Sequence, residues 1–153
     1  MDGSVTGRGE SKDRLRLWLR LLATTRLIEG EIRGRLRSDF DQTLPRFDVM
    51  AQLNAAPTGL SMSELSTRLM VSNGNVTGIV DRLVQEELVS RTAAPGDRRS
   101  LVVKLTDAGQ ASFDAMAKVH ERWIAELTQG LDAAAVRELG QLLGQLKHSI
   151  EEG

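Results

Sequence analysis

The sequence predicts a mainly α-helical fold with one small β-hairpin, in the order α-α-α-α-β-β-α-α. Three observations predict it. Apolar residues recur at three- and four-residue steps over most of the chain. Helix-start signals punctuate these stretches at Pro45, Ser61, Ser72, Thr106 and Asp132. Two strand-like segments, Val89–Ala94 and Ser100–Leu105, flank a turn containing Pro95 and Gly96.

Each element follows in order. Residues 1–12 are polar and Gly-rich and are expected to form a disordered lead-in. Helical periodicity runs from about Asp13 to Ser38 through Leu15, Trp18, Leu22, Ile28, Ile32 and Leu36. A helix of that length protrudes from a small domain unless partnered. Pro45 suits the first turn of a second helix, over about Arg46–Ala56, because its missing N–H is not needed there. Ser61-Met-Ser-Glu64 has capping-box spacing and opens a third helix to about Leu69. Met70-Val71 is a tight connection, and Ser72 caps a fourth helix to about Glu87. After the hairpin, Thr106 caps a long helix to about Gln129. Asp132 caps the last, with Leu139, Leu142, Leu143, Leu146 and Ile150 on one face.

Two short helices joined by a tight turn and followed by a charged hairpin describe a winged helix-turn-helix. The first and the last two helices carry apolar stripes with no core of their own large enough to cover them. Burial against a second copy, in an obligate-type homodimer, is the expected solution.

Composition narrows the function. The 153 residues hold 20 Lys+Arg against 21 Asp+Glu, a net charge of −1 that argues against a strongly basic nucleic-acid binder. The balance is uneven, however. Residues 1–60 carry +2, residues 61–106 carry +1 and residues 107–153 carry −4. Cys and Tyr are absent and there are two His, so thiol chemistry and disulfides are excluded. No His spacing suits a metal, and His120 and His148 read as solvated or interface residues. No enzyme, metal or cofactor is expected. No apolar run reaches the roughly 18–20 residues that span a bilayer, and a cytoplasmic protein without membrane association is expected.

Several segments taken together resemble the MarR (multiple antibiotic resistance regulator) family. They are Leu60-Ser-Met-Ser-Glu-Leu65, Ser72-Asn-Gly-Asn-Val-Thr-Gly-Ile-Val-Asp-Arg-Leu83, Leu88-Val-Ser-Arg91 and Asp97-Arg-Arg-Ser-Leu-Val-Val-Lys-Leu-Thr-Asp-Ala-Gly109. The resemblance implies a homodimeric, ligand-responsive regulator, usually a repressor, on a pseudo-palindromic double-stranded DNA operator. The expected division is residues 13–44 for dimerisation and a ligand pocket, 45–106 for the winged DNA-binding domain, and 107–153 for dimerisation. Leu15-Arg-Leu-Trp-Leu-Arg20 and Thr43-Leu-Pro-Arg-Phe-Asp-Val-Met50 are similar to regulators of aromatic-acid (hydroxycinnamate-type) catabolism. Some of these respond to an aryl-CoA thioester.

On the fourth helix, Val76, Val80 and Leu83 face the core. Asn75, Thr77, Gly78 and Arg82 lie on the opposite side with Gly74, Asp81 and Gln85. Asn pairs with adenine, Arg with guanine, and a Thr methyl touches a thymine methyl. Gly74 and Gly78 allow the backbone to approach DNA; the alternative is that Gly74 merely loosens the helix start and Gly78 avoids a clash with a neighbouring helix. Ser72 and Asn73, at the helix start, are expected on a phosphate, with a plain N-cap as the alternative. In the wing, Arg98 and Arg99 at the turn tip suit a phosphate and the minor groove. The family pattern implies that Asp97 orients Arg99.

For an effector, Arg26, Arg33, Arg37 and Arg46 suit a carboxylate or the phosphates of a CoA thioester. Trp18, Phe40, Phe47 and Met50 offer an aromatic slot. Pairing with Glu29, Glu31 and Asp39, contact with DNA, or plain core packing are the alternatives. A winged-helix module that binds proteins instead of specific DNA is the alternative for the whole chain.

Overall fold

The computed structural model describes residues 4–70, 73–94 and 96–153. In order it contains α1 (Ser4–Phe40), α2 (Leu44–Asn54), β1 (Leu60–Ser61), α3 (Met62–Leu69) and α4 (Asn73–Gln85). These are followed by β2 (Val89–Ala94), β3 (Asp97–Leu105), α5 (Asp107–Leu127) and α6 (Ala133–Glu152). The chain forms two compact units, residues 1–118 and 119–153, with the division falling inside α5.

α1 corrects the first expectation. Residues 4–12 are not a disordered lead-in but the first turns of a 37-residue helix, about 55 Å long at the α-helical rise. Extending a helix costs far less than starting one. Two exposed ion pairs, Glu10–Arg14 at 3.3 Å and Asp13–Arg16 at 2.9 Å, run along this stretch. Residues 7–20 are all exposed, and among the described side chains of α1 the buried ones are Ile32 and Leu36. Asp41, in the left-handed region at φ 50°, turns the chain out of α1 into α2.

α2 starts as its sequence dictates. The Thr43 side chain accepts from the Arg46 N–H at 3.4 Å, and Pro45 occupies the first turn. α3 opens on the expected capping box. The Glu64 N–H donates to Ser61 Oγ at 3.1 Å, and the Ser61 N–H donates to Glu64 Oε2 at 3.2 Å. Val49, Met50, Leu53, Leu65, Val76, Val80 and Leu83 are buried at the centre of this helical lobe.

The sheet has three strands rather than the expected two, in the antiparallel order β1-β3-β2. β1 pairs Leu60 with Val103 and Ser61 with Val102. Two residues are too short to show alternation, so nothing in the sequence marked them as a strand. Gly59 lies just before it at φ 94°, and a Cβ there would overlap the Val102 side chain.

The wing also departs from the expected Pro95–Arg99 turn. Ala94 pairs with Asp97, while Ala93 pairs with Leu101. Residues 98–100 are therefore left between two registered pairs, a bulge in β3. Arg98 and Arg99 sit on this bulge and not at the turn itself.

One junction joins the end of α4, the wing and α5. The Leu88 N–H donates to the Leu83 carbonyl and the Glu87 N–H to that of Val84, each at 3.0 Å. With Glu87 at φ 60°, this is a Schellman closure built on a residue other than glycine. Thr106 then binds both carbonyls of the turn. Its Oγ1 donates to Glu87 O at 2.6 Å and its N–H donates to Leu88 O at 3.1 Å. The same Oγ1 accepts from the Gly109 N–H at 3.0 Å, capping α5. A Cβ on Gly109 would overlap the Leu88 carbonyl oxygen. Thr106 and Gly109 are thus fixed by one close approach.

In the unit formed by residues 119–153, Asp132 Oδ1 accepts from the Ala135 N–H at 2.8 Å and starts α6. No residue of α6 is buried, and Leu139, Leu142, Leu143, Leu146 and Ile150 are exposed.

Gly109→Ala should lower unfolding stability by about 2–4 kcal/mol, because its methyl group meets backbone that is already hydrogen-bonded. Glu87→Gly should raise it by about 0.5–1 kcal/mol, the relief of left-handed strain less the added backbone entropy. Urea unfolding of the two variants beside the parent checks both signs.

Candidate nucleic-acid interface

α4 presents two opposite faces. Val76, Val80 and Leu83 are buried, whereas Gly74, Asn75, Thr77, Gly78, Arg82 and Gln85 are exposed. Asn75, Gly78 and Arg82 follow at steps of three and four, which puts them on one stripe. A Cβ on Gly74 or Gly78 would have no neighbour within 4 Å. Among the described residues no adjacent helix demands glycine at either position, so the clash explanation for Gly78 finds no support there. Asn73 begins α4; for it, and for Arg98 and Arg99, the described part is the backbone. Ser72 lies outside the described residues. Asp97 is the first residue of β3 and is exposed.

Two carboxylates near this face are each held by an arginine from another element. Asp81 is hydrogen-bonded and ion-paired to Arg91 of β2, which ties α4 to the wing. Asp81 is therefore a tether rather than a reading residue. Glu86, just past α4, is paired in the same way with Arg46 from the first turn of α2. With both carboxylates matched, Arg82 supplies positive charge on the exposed stripe.

A groove of about 750 Å³ lies between the start of α2 and this side of α4. Pro45, Leu69 and Ile79 contribute apolar wall, and Arg46, Asp48 and Arg82 contribute charge. Asp48 was not singled out by sequence reasoning. Burial, and then the Glu29 carboxylate, push its pKa up to about 6. An Asp at an ordinary helical position gives no sequence signal for this, because the causes are its burial in the folded lobe and, second, a carboxylate nineteen residues away on another helix.

The expected effector residues are not brought together. Trp18 and Arg37 stand about 28 Å apart along α1, and Trp18, Arg26, Arg33 and Arg37 are exposed. Arg37 lies 3.8 Å from Asp41, and Arg35 lies 3.8 Å from Glu31. Phe47 and Met50 are core residues, 5% and 0% exposed, and Phe47 stacks on Phe113 with ring centroids 5.6 Å apart. They belong to the lobe's interior because α2 buries that face, so for these two residues the core-packing alternative holds, whereas Trp18 is 55% exposed. Phe40 is partly buried at the end of α1. Among these residues only Arg46 borders the groove. Burial lowers the pKa of His120. Among the described residues, no cluster of three metal-ligating side chains occurs, and no helix is long and apolar enough to cross a membrane.

The MarR family model matches residues 43–101, which span the groove, α4 and the wing. The Escherichia coli multiple antibiotic resistance protein MarR is 35% identical over 107 residues, covering 69% of this chain and 74% of its own. The chain belongs to the MarR family. MarR proteins are winged-helix transcriptional regulators, and the described elements have that fold. The HTH-type transcriptional repressor IacR of Pseudomonas putida is 30% identical over 117 residues, covering 76% of this chain and 70% of its own. The crystal structure of a cysteine-to-serine mutant of E. coli MarR complexed with operator DNA superposes with a TM-score of 0.76. It is 29% identical and covers 88% of this chain and 95% of its own. These relatives are regulators, not enzymes.

Asp48 generates a pH prediction. Its folded pKa lies above the ordinary carboxylate value of 3.8. The stability it contributes is therefore full below about pH 4 and is lost as pH rises through about 6. Asp48→Asn should remove that loss, so that the melting temperatures of variant and parent diverge in the variant's favour between about pH 4 and 6. A constant difference across that range in a thermal melt series would contradict the assignment.

Proposed function

We propose that this chain is a homodimeric, ligand-responsive repressor that reads a pseudo-palindromic operator with α4 in the major groove and the wing in the minor groove. The observation that carries the reading is the exposed face of α4. Two glycines there face open space, Asn75, Thr77 and Arg82 stand beside them, and the nearby Asp81 and Glu86 carboxylates are matched by arginines. That surface suits close approach to a polyanion. The complex of a 29% identical MarR relative with operator DNA supports it.

Within this reading, Asn75, Thr77 and Arg82 contact bases, and Gly78 admits the DNA backbone. Ser72 and Asn73 hold a phosphate at the start of α4. Arg98 contacts phosphate or sugar, and Arg99 enters the minor groove with Asp97 orienting it. Dimerisation uses residues 13–44 and 107–153. The exposed apolar faces of α1 (Leu15, Trp18, Leu19) and α6 (Leu139, Leu142, Leu146) support a second copy as their cover. Repression is the reading favoured by the relative named as a repressor. The protein works in the cytoplasm, where its DNA is.

The effector is a small anionic aromatic compound, an aromatic carboxylate or its CoA thioester. The resemblance of residues 15–20 and 43–50 to regulators of aromatic-acid catabolism supports this class. The groove supports it too, since Pro45, Leu69 and Ile79 suit an aromatic ring and Arg46 and Arg82 suit an anion. Arg26, Arg33 and Arg37 would extend the site only across a dimer. An effector that favours a dimer with the wrong spacing of recognition helices needs a coupling of only about 1–3 kcal/mol to release DNA 5–150-fold more readily.

Arg99→Ala should weaken binding to the operator upstream of the protein's own gene while leaving a dimer on gel filtration. Arg82→Ala should cost about 1–3 kcal/mol at the preferred site and relax its sequence preference. Titrations at matched salt separate the two, and unchanged affinity in Arg99→Ala would contradict the wing assignment. A thermal-shift panel of aromatic acids and their CoA thioesters tests the effector class. Stabilisation by one class names it, and no shift from either rejects it.

A further inference from the structure

The Arg46–Glu86 pair sits where neither partner helps its own helix. Arg46 occupies the first turn of α2, the positive end of that helix dipole, and α2 has no acidic residue there. Glu86 follows the last turn of α4, the negative end, and its own N–H still donates to the Arg82 carbonyl at 3.0 Å. Exchanging the two residue types would improve both helix ends. The present arrangement is nonetheless built in deeply. The Arg46 side chain is only 17% exposed, and its Nε is buried without a hydrogen-bond partner. Leaving a guanidinium nitrogen unsatisfied and two charges at the wrong helix ends are local costs, and such costs point to a positional role.

The pair is also forty residues apart in sequence and joins two elements that meet beside the groove. α4 is tethered on its other side by Asp81–Arg91 to the wing. Without the Glu86 contact, the C-terminal end of α4 would be held by apolar packing, its Schellman turn and the Thr106 bonds to the Glu87 and Leu88 carbonyls, none of which grips a side chain on the α2 side of the helix. Packing of that kind tolerates rotation about the helix axis better than a directed guanidinium–carboxylate bond does.

We propose that Arg46 and Glu86 are positioning residues: a strut from α2 that sets the orientation of the recognition helix and thereby its discrimination between operator and other DNA. The inference rests on the DNA-reading role of α4 proposed above, and its test separates the two. Glu86→Gln keeps the side-chain shape and removes the charge. In DNA-free protein, amide hydrogen exchange in the last two turns of α4 should accelerate about fivefold or more, the scale of a lost charge-assisted hydrogen bond. The ratio of affinities for the promoter fragment of the protein's own gene and for an unrelated duplex of equal length should fall by a similar factor. The double variant Arg46→Glu/Glu86→Arg should restore both, with a melting temperature at or above the parent's because both helix ends now favour their charges.

A Glu86→Gln variant with unchanged exchange in α4 overturns the strut, whatever the DNA result. Faster exchange with an unchanged affinity ratio overturns its role in discrimination. Equal tightening on both duplexes makes Glu86 a mere repulsive charge and likewise overturns it. A parent protein with no preference for its promoter fragment overturns the DNA-reading proposal, and the exchange data then decide the strut alone.

Discussion

The architecture depends on one close approach, that of the first turn of α5 to the carbonyls of Glu87 and Leu88. Thr106 binds both carbonyls, caps α5 with the same hydroxyl, and lies directly after β3. Gly109 is the residue without which that turn could not come so near. The consequence is geometric. The exit of α4, both wing strands and the entry to α5 share a single hydrogen-bonded node, so recognition helix and wing are held as one block. In the proposed reading, with α4 and the wing in adjacent grooves, that matters because an error in the angle between the two contacts is amplified at the DNA surface.

Charge placement completes the block. The near-neutral total, net −1 over the chain, first argues against a polyanion as partner. Around α4 the argument loses its force, because Asp81 and Glu86 are each matched by an arginine from a neighbouring element. Those pairs hold the helix and also remove the carboxylates that would repel phosphate. In the proposed reading, a face whose described free cation is Arg82 neutralises few phosphates, so specificity would come from fit and base contact more than from bulk attraction.

Local chemistry was the part of this fold legible in the sequence. The Ser61–Glu64 capping box, Pro45 in a first turn, the Asp132 cap and the buried stripe Val76, Val80 and Leu83 all act within one helix, where periodicity and spacing report them directly. What stayed hidden depends on partners distant in sequence. β1 is two residues that become a strand only because β3 is beside them. The raised pKa of Asp48 comes from burial and Glu29, and the trapping of Glu86 comes from Arg46. The arginines of α1 show the same limit in reverse. They share a helical face, yet that face extends over about 16 Å from Arg26 to Arg37, and one turn of α2 supplies the only arginine of the set that borders the groove. Helix starts such as residues 4–12 were hidden too, since a polar, Gly-bearing stretch looks alike whether it extends a helix or frays from it.

The central claim is that two copies of this rigid block read two half-sites on one face of the duplex. The most direct test is the affinity of the protein for its operator as the spacing between half-sites is changed. Adding about five base pairs, half a helical turn, puts the second half-site on the opposite face. The account predicts that affinity then falls to that for unrelated DNA, and that adding about ten base pairs restores it in part. Undiminished affinity at the half-turn insertion would contradict it, because a fixed pair of recognition helices cannot follow both spacings.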